Sequence, residues 1–167
     1  MQIQIDSREK ARAITKILAE FQKQNIDSFI SKLYVGDYMS YDNPRLVIDR
    51  KQNLSELCSN VCQQHERFRH ELVRAQEKGI KIVFLIEHGK GITCLEDVIW
   101  WINPREKKRV LNQTTKQWEE KSTNAMRGEV LYKILCTQER KYGCKFVFCD
   151  KAETGKCIID ILGGAYD

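Results

Sequence analysis

The sequence predicts an α/β domain in layers around a mixed sheet, on three observations. Two apolar runs of strand length, IVFLI at 82–86 and FVFC at 146–149, are hydrophobic throughout, the pattern of strands buried on both faces. Between them and before them lie stretches whose apolar residues recur at helical spacing. The 167 residues, 42% hydrophobic and 31% charged, suffice for one domain with a sizeable core, so residues 1–167 are expected to form a single domain.

Taken in order, Gln2 to Asp6 alternates as a strand does, and Ile14, Ile17, Leu18 and Phe21 make one helical stripe. Asn25 to Asp27 turns the chain into SFISKL, a second strand. Val35-Gly36-Asp37-Tyr38 reads as a tight bend into a third strand, Asp37 to Tyr41, and Asp42-Asn43-Pro44 turns it back into Leu46 to Arg50, its hairpin partner. Asn53 fits a helix N-cap with Glu56 as its capping-box partner, and Leu54, Leu57, Cys58 and Val61 give that helix an apolar stripe. A further helix is expected over Glu66 to Lys78, ended by Gly79, with Phe68, Leu72 and Ala75 inward, followed by the strand Ile80 to Ile86.

Thr93-x-x-Glu96 is a second capping box, opening a helix through Trp100 or Trp101; the two tryptophans cannot both face one core from one helix. Residues 103–127 have little periodicity and many charges and read as a long basic loop. Its run Arg105, Lys107, Lys108, Arg109 suits either a phosphate backbone or plain solvent. Val130, Leu131, Ile134 and Leu135 mark a helix, KFVFC a strand, and Asp150-x-x-Glu153 a cap for a last helix to Gly163.

Composition removes several function classes. No run approaches the ~18 apolar residues that span a bilayer, and the polar N-terminus has no signal-peptide pattern, so no membrane partner is expected. Seven scattered cysteines suggest reduced thiols and a cytoplasmic protein. Cys58 and Cys62 lack the second pair that zinc needs, and Gly89-Lys90-Gly91 lacks P-loop spacing, so neither zinc nor a nucleotide cofactor is expected. A net charge of +5 is compatible with a polyanionic partner without requiring one.

The strand LVIDRK passes at once from apolar to charged. Alternation puts Asp49 and Lys51 on one face, and Asp37, on the strand paired with it, can meet Asp49 at the same end of the hairpin. Converging carboxylates suit a hard divalent cation that takes oxygen ligands, and an adjacent lysine can orient a water. That is apparatus for phosphodiester hydrolysis. The competing reading is an ordinary strand-end ion pair between Asp49 and Arg50.

The linked runs IDSREK, LYVGDY, VIDRKQNLSEL and ERF resemble the nuclease domain of the XPF family of structure-specific endonucleases, within the PD-(D/E)xK superfamily. The resemblance rests on Asp6, Arg8 and Glu9; on Gly36 and Asp37; on Asp49, Arg50 and Lys51; and on Arg67 and Phe68. It extends in order and spacing over about the first ninety residues, and the closing strand and helix fit as well. It implies a restriction-endonuclease-like mixed central sheet flanked by helices on both faces. It further implies a Mg2+-dependent endonuclease, with Mn2+ able to substitute, acting on branched or flapped DNA. Asp37, Asp49 and the Arg50 carbonyl would bind the metal, supported by Asp6 and Glu9; Lys51 would position the attacking water; Arg8 and Arg67 would contact phosphates. For Arg67 a surface pair with Glu71 at i+4 is the alternative, and His65 and His70 beside it are DNA contacts or ordinary surface histidines.

The chain departs from the family pattern at Asp49, where a glutamate is usual, and at Ser55, where an aspartate is expected; Glu56 beside it would face about 100° away on a helix. That departure keeps open an inactive DNA-binding or scaffold module of the same fold. The family's usual helix-hairpin-helix or helicase neighbours are not in these residues, so a homodimer, another protein or the 103–127 segment is expected to supply the grip on DNA.

Overall fold

The computed structural model describes residues 1–164. Six strands form the central sheet in the order β2-β1-β3-β4-β5-β8. These are β1 (Gln2–Ile5), β2 (Asp27–Ile30), β3 (Tyr38–Ser40), β4 (Asn43–Lys51), β5 (Lys81–Glu87) and β8 (Lys145–Cys149). β1–β2, β4–β5 and β5–β8 are parallel, while β3 runs antiparallel to both β1 and β4. The sheet is therefore mixed, as the pattern of strands and helices predicts.

The pleat of the central strands divides the core in two. Val47, Ile82, Phe84, Ile86 and Phe146 face α2 (Leu54–Cys62), α3 (His65–Glu77) and α4 (Gly128–Tyr142). Their alternating neighbours Ile48, Val83 and Leu85 face α1 (Ala11–Lys23) and α5 (Thr154–Leu162). Phe84 lies between Phe68 and Phe146 at ring separations of 5.0 and 5.1 Å, so Phe68 anchors α3 to the sheet.

Local signals account for most boundaries. Asn53 Oδ1 accepts the Glu56 N–H at 2.9 Å, the expected N-cap of α2, while the Glu56 carboxylate accepts the N–H of Gln52 instead of that of Asn53. The second capping box shifts by one residue: the N–H and hydroxyl of Thr93 donate to Asp97, not Glu96. The segment closes as a short 3₁₀ helix, Glu96–Trp100. Trp101 then turns into the core at 7% exposure and Trp100 stays 80% exposed, which resolves the two-tryptophan conflict. No side chain caps α5; only the Glu153 N–H meets Asp150, through its carbonyl.

Residues 103–127 are not the irregular loop that their composition suggests. They contain an antiparallel hairpin, β6 (Lys107–Leu111) and β7 (Trp118–Ser122), separate from the central sheet. Almost all of it is exposed, so no buried face imposes the alternation by which strands are recognised.

Gly36 makes the bend before β3. Its φ of 72° is left-handed, and a Cβ there would sit 3.0 Å from the Ile48 carbonyl oxygen and 3.1 Å from Val47. Gly36→Ala is expected to cost about 2 kcal/mol in urea unfolding and to displace Asp37 from the cleft beside it.

Candidate active site

Two elements bring the acids together. Asp37 leaves the Gly36 bend with its N–H donating to the Ile48 carbonyl at 2.7 Å, and its carboxylate accepts the Arg50 N–H at 2.8 Å. Asp37 is thereby clamped to β4 from both ends. Asp49 and Lys51 share the face of β4 that looks toward α2 and α3, as alternation requires. Asp37, Asp49, Lys51, Arg8 and Arg67 all line one polar cleft of about 240 Å³.

Lys51 Nζ stands 2.6 Å from Asp49 Oδ1, over the Phe84 ring. The contact is a close ion pair in which the ammonium donates to the carboxylate. Asp49 is 4% exposed, and burial pushes its carboxyl up to about 6, Lys51 opposing and Glu71 reinforcing the rise. Burial, together with the nearby Asp49 charge, also raises Asp37 well above the usual carboxylate range. Burial works against the Lys51 ammonium, but Asp49, Asp37 and Glu71 outweigh it and hold the lysine protonated.

Two carboxyls that line one open polar cleft, each raised by burial and Asp37 further by the Asp49 charge, fit a hard divalent cation that keeps several of its waters. Among the described residues, no group of three or more His, Cys, Asp or Glu side chains encloses an ion site by itself. Water or substrate oxygens would have to complete the shell.

The remaining expected site residues lie elsewhere. Asp6 is buried behind the cleft, where it accepts the N–H groups of Arg8 and Leu33 at 2.8 and 2.7 Å and the Arg8 guanidinium at 2.6 Å. Burial acts to raise its carboxyl, but these donors outweigh it and hold the acid below its ordinary value. Asp6 thus fixes Arg8 and does not touch the cleft. Glu9, expected to support the metal, lies on the opposite face of β4, 2.8 Å from the Arg50 guanidinium and accepting the Tyr38 hydroxyl at 2.9 Å. Arg50 also meets Glu87 at 3.1 Å, and Thr154 of α5 donates to the same Glu87 oxygen at 2.8 Å. The strand-end pair of Asp49 with Arg50 is therefore absent: alternation sends Arg50 to the other side.

Five further residues line the cleft: Phe68, expected in the core, and Glu56, Asn60, Gln64 and Glu71. Glu56 is the informative one. Ser55 faces a separate cavity of about 670 Å³ between α2 and the base of the hairpin, while Glu56 faces the acids. The rotation of α2, set by burying Leu54, Leu57, Cys58 and Val61, supplies the cleft with the carboxylate that seemed displaced. Glu71, one helical turn after Arg67, lines the same cleft and accepts the Gly36 N–H at 3.4 Å.

Raised acids imply a pH dependence. A carboxyl whose folded pKa exceeds its unfolded value stabilises the fold below the unfolded pKa and loses that contribution as pH rises through the folded one. In EDTA, wild type is therefore expected to lose stability relative to Asp49→Asn between about pH 4 and 7, by on the order of 3 kcal/mol. Chemical denaturation of both proteins across that range measures it.

The ERCC4 domain family model matches residues 5–160 of the chain. The fold is similar to that of XPF from Aeropyrum pernix, with a TM-score of 0.63 and 14% identity over 97% of this chain and 63% of that one. It is similar also to XPF from Aeropyrum pernix in complex with DNA, with a TM-score of 0.62 and 14% identity over 98% of this chain and 64% of the other. The chain thus spans a little under two thirds of the length of the XPF chains it matches. No curated protein matches it.

Proposed function

The chain belongs to the ERCC4 domain family, and from that premise we propose that it is a divalent-metal-dependent DNA endonuclease acting on branched or flapped DNA. The observation that carries the reading is the convergence of Asp37, Asp49 and Lys51 in one open cleft, with the acids raised and the lysine held charged. The complex of a similarly folded XPF with DNA supports the choice of polymer.

Asp37 and Asp49 are the residues that would hold Mg2+, or Mn2+ in its place. A divalent cation there supplies positive charge against the charge that develops on the phosphoryl oxygens. Lys51, being protonated, acts as a donor: it orients the attacking water or a non-bridging oxygen and does not abstract a proton. Arg8, fixed by Asp6, and Arg67 on α3 bind the phosphates on either side of the cut. Asp6 is in this account a positioning residue, and the Arg50–Glu9–Glu87 cluster braces the strand that carries Asp49 and Lys51. Glu56 on the cleft wall favours an active nuclease over the scaffold reading that Ser55 had kept open.

The test is incubation of the purified protein with labelled linear, flap and four-way-junction DNA in Mg2+ or Mn2+, with calorimetric titration of the same ions. Cleavage of a branched substrate with measurable ion binding supports the reading. No cleavage of any substrate, with no ion heat, returns the protein to the scaffold class.

A further inference from the structure

We propose that the outer face of α3, with Arg8 and Tyr34, is a binding path for an unpaired DNA strand running out of the cleft. The proposal rests on the nuclease reading above and specifies which form of DNA occupies one side of that site.

The path is continuous with the cleft. Arg8 and Arg67 line the catalytic cavity and also a second, open depression of about 720 Å³, whose other walls include His70, Val73 and Arg74. On α3, Arg67, His70 and Arg74 stand at i, i+3 and i+7, which places them in one row. Seven residues of helix rise about 10 Å, the length of about three stacked nucleotides of one strand.

A stacking surface lies at the far end of the row. Tyr34 precedes the catalytic Asp37 by three residues and remains 55% exposed, with the Arg74 guanidinium 5.6 Å from its ring centroid. An exposed aromatic ring beside two arginines is an arrangement by which bases stack while phosphates are held. Bases within a duplex have both faces covered by their neighbours, so an unpaired strand is the form that offers base faces along the row. Glu66 and Glu77 border the same depression. Arginines in one row, flanked by acids, suit one phosphate backbone and repel a second.

The hairpin offers similar chemistry, with Trp118 61% exposed and the Arg109 guanidinium 5.8 Å from its ring. It stands across α2 from the cleft, however, because α2 presents Glu56 and Asn60 to the catalytic cavity and Ser55 and Ser59 to the hairpin's base. It therefore serves as the rival in the test.

Binding of fluorescein-labelled oligo(dT) is measured in EDTA, so that no cutting contributes, for wild type, Tyr34→Ala, Arg74→Gln and, as control, Arg109→Gln. All three altered side chains are exposed, and circular dichroism checks the fold. Tyr34→Ala is expected to weaken single-strand binding roughly tenfold. Arg74→Gln should flatten the slope of log K against log salt by about 0.7. Arg109→Gln should change neither, and blunt duplex binding should be altered less than twofold by any of them. Photocrosslinking with 5-bromodeoxyuridine should mark the peptide that contains Tyr34. The proposal is overturned if wild type does not bind oligo(dT), if Tyr34→Ala and Arg74→Gln bind as wild type does, or if the crosslink maps to Trp118. Failure of the nuclease reading shows separately, as absence of cleavage in Mg2+ or Mn2+.

Discussion

Asp49→Asn is expected to fold and to lose at least about 10³-fold in cleavage rate, since removing several kcal/mol of charge stabilisation at the phosphoryl group costs about tenfold per 1.4 kcal/mol. The substitution keeps size and shape, and it removes a carboxylate that the fold itself holds at a disadvantage. Loss of activity with equal or greater stability is thus a signature that few structural residues would produce. Calorimetry should show Mg2+ heat falling in the same variant, because Asp37 alone presents one carboxylate on the cleft side of the β3–β4 pair. Asp42→Asn, in the turn between those strands at their far end, is the control and should cut as wild type does. Undiminished cutting by Asp49→Asn would remove the catalytic assignment.

Arg50→Met should do the opposite, damaging the fold before the chemistry. Arg50 is buried between Glu9 and Glu87, and one Glu87 oxygen already lacks a hydrogen-bond donor. Removing the cation leaves two carboxylates facing each other out of water, a loss of roughly 4 kcal/mol. For a chain of this size the melting temperature should fall by about 10 °C. Arg50→Lys should recover only part of that, since one ammonium cannot bond both glutamates as the guanidinium fork does. Activity per folded molecule, measured well below the new midpoint, should change far less than stability. Equal melting of Arg50→Met and wild type would show that the cluster braces nothing.

The sequence made some of this legible and hid the rest for identifiable reasons. Alternation along β4 was enough to place Asp49 and Lys51 on one face, because a two-residue period tolerates no intermediate answer. The Gly36-Asp37 bend was readable because glycine before a strand signals a left-handed turn. What escaped was three-dimensional. Whether Ser55 or Glu56 reaches the cleft depends on how α2 is rotated about its axis by the packing of four apolar residues, which a motif spacing does not record. Glu9 belongs to the same short motif as Asp6, yet hydrogen bonding to Tyr38 and Arg50 draws it through to the other side of the sheet. The hairpin escapes sequence reading for want of a buried face, and Asp6, expected to support the metal, instead holds Arg8, because proximity in a motif does not say which way a side chain turns.

The β6–β7 hairpin has one more consequence, for how freely this chain can change. Its strands bond to each other, and the closure of its base, where Glu106 and Thr123 meet backbone to backbone at 2.8 Å, leaves the rest of the connection from β5 to α4 undisturbed. Shortening that connection by the whole hairpin alters the entropy of loop closure by only about 0.5 kcal/mol. The arm is therefore an appendage whose length and composition can change while the sheet and its charged strand end stay as they are.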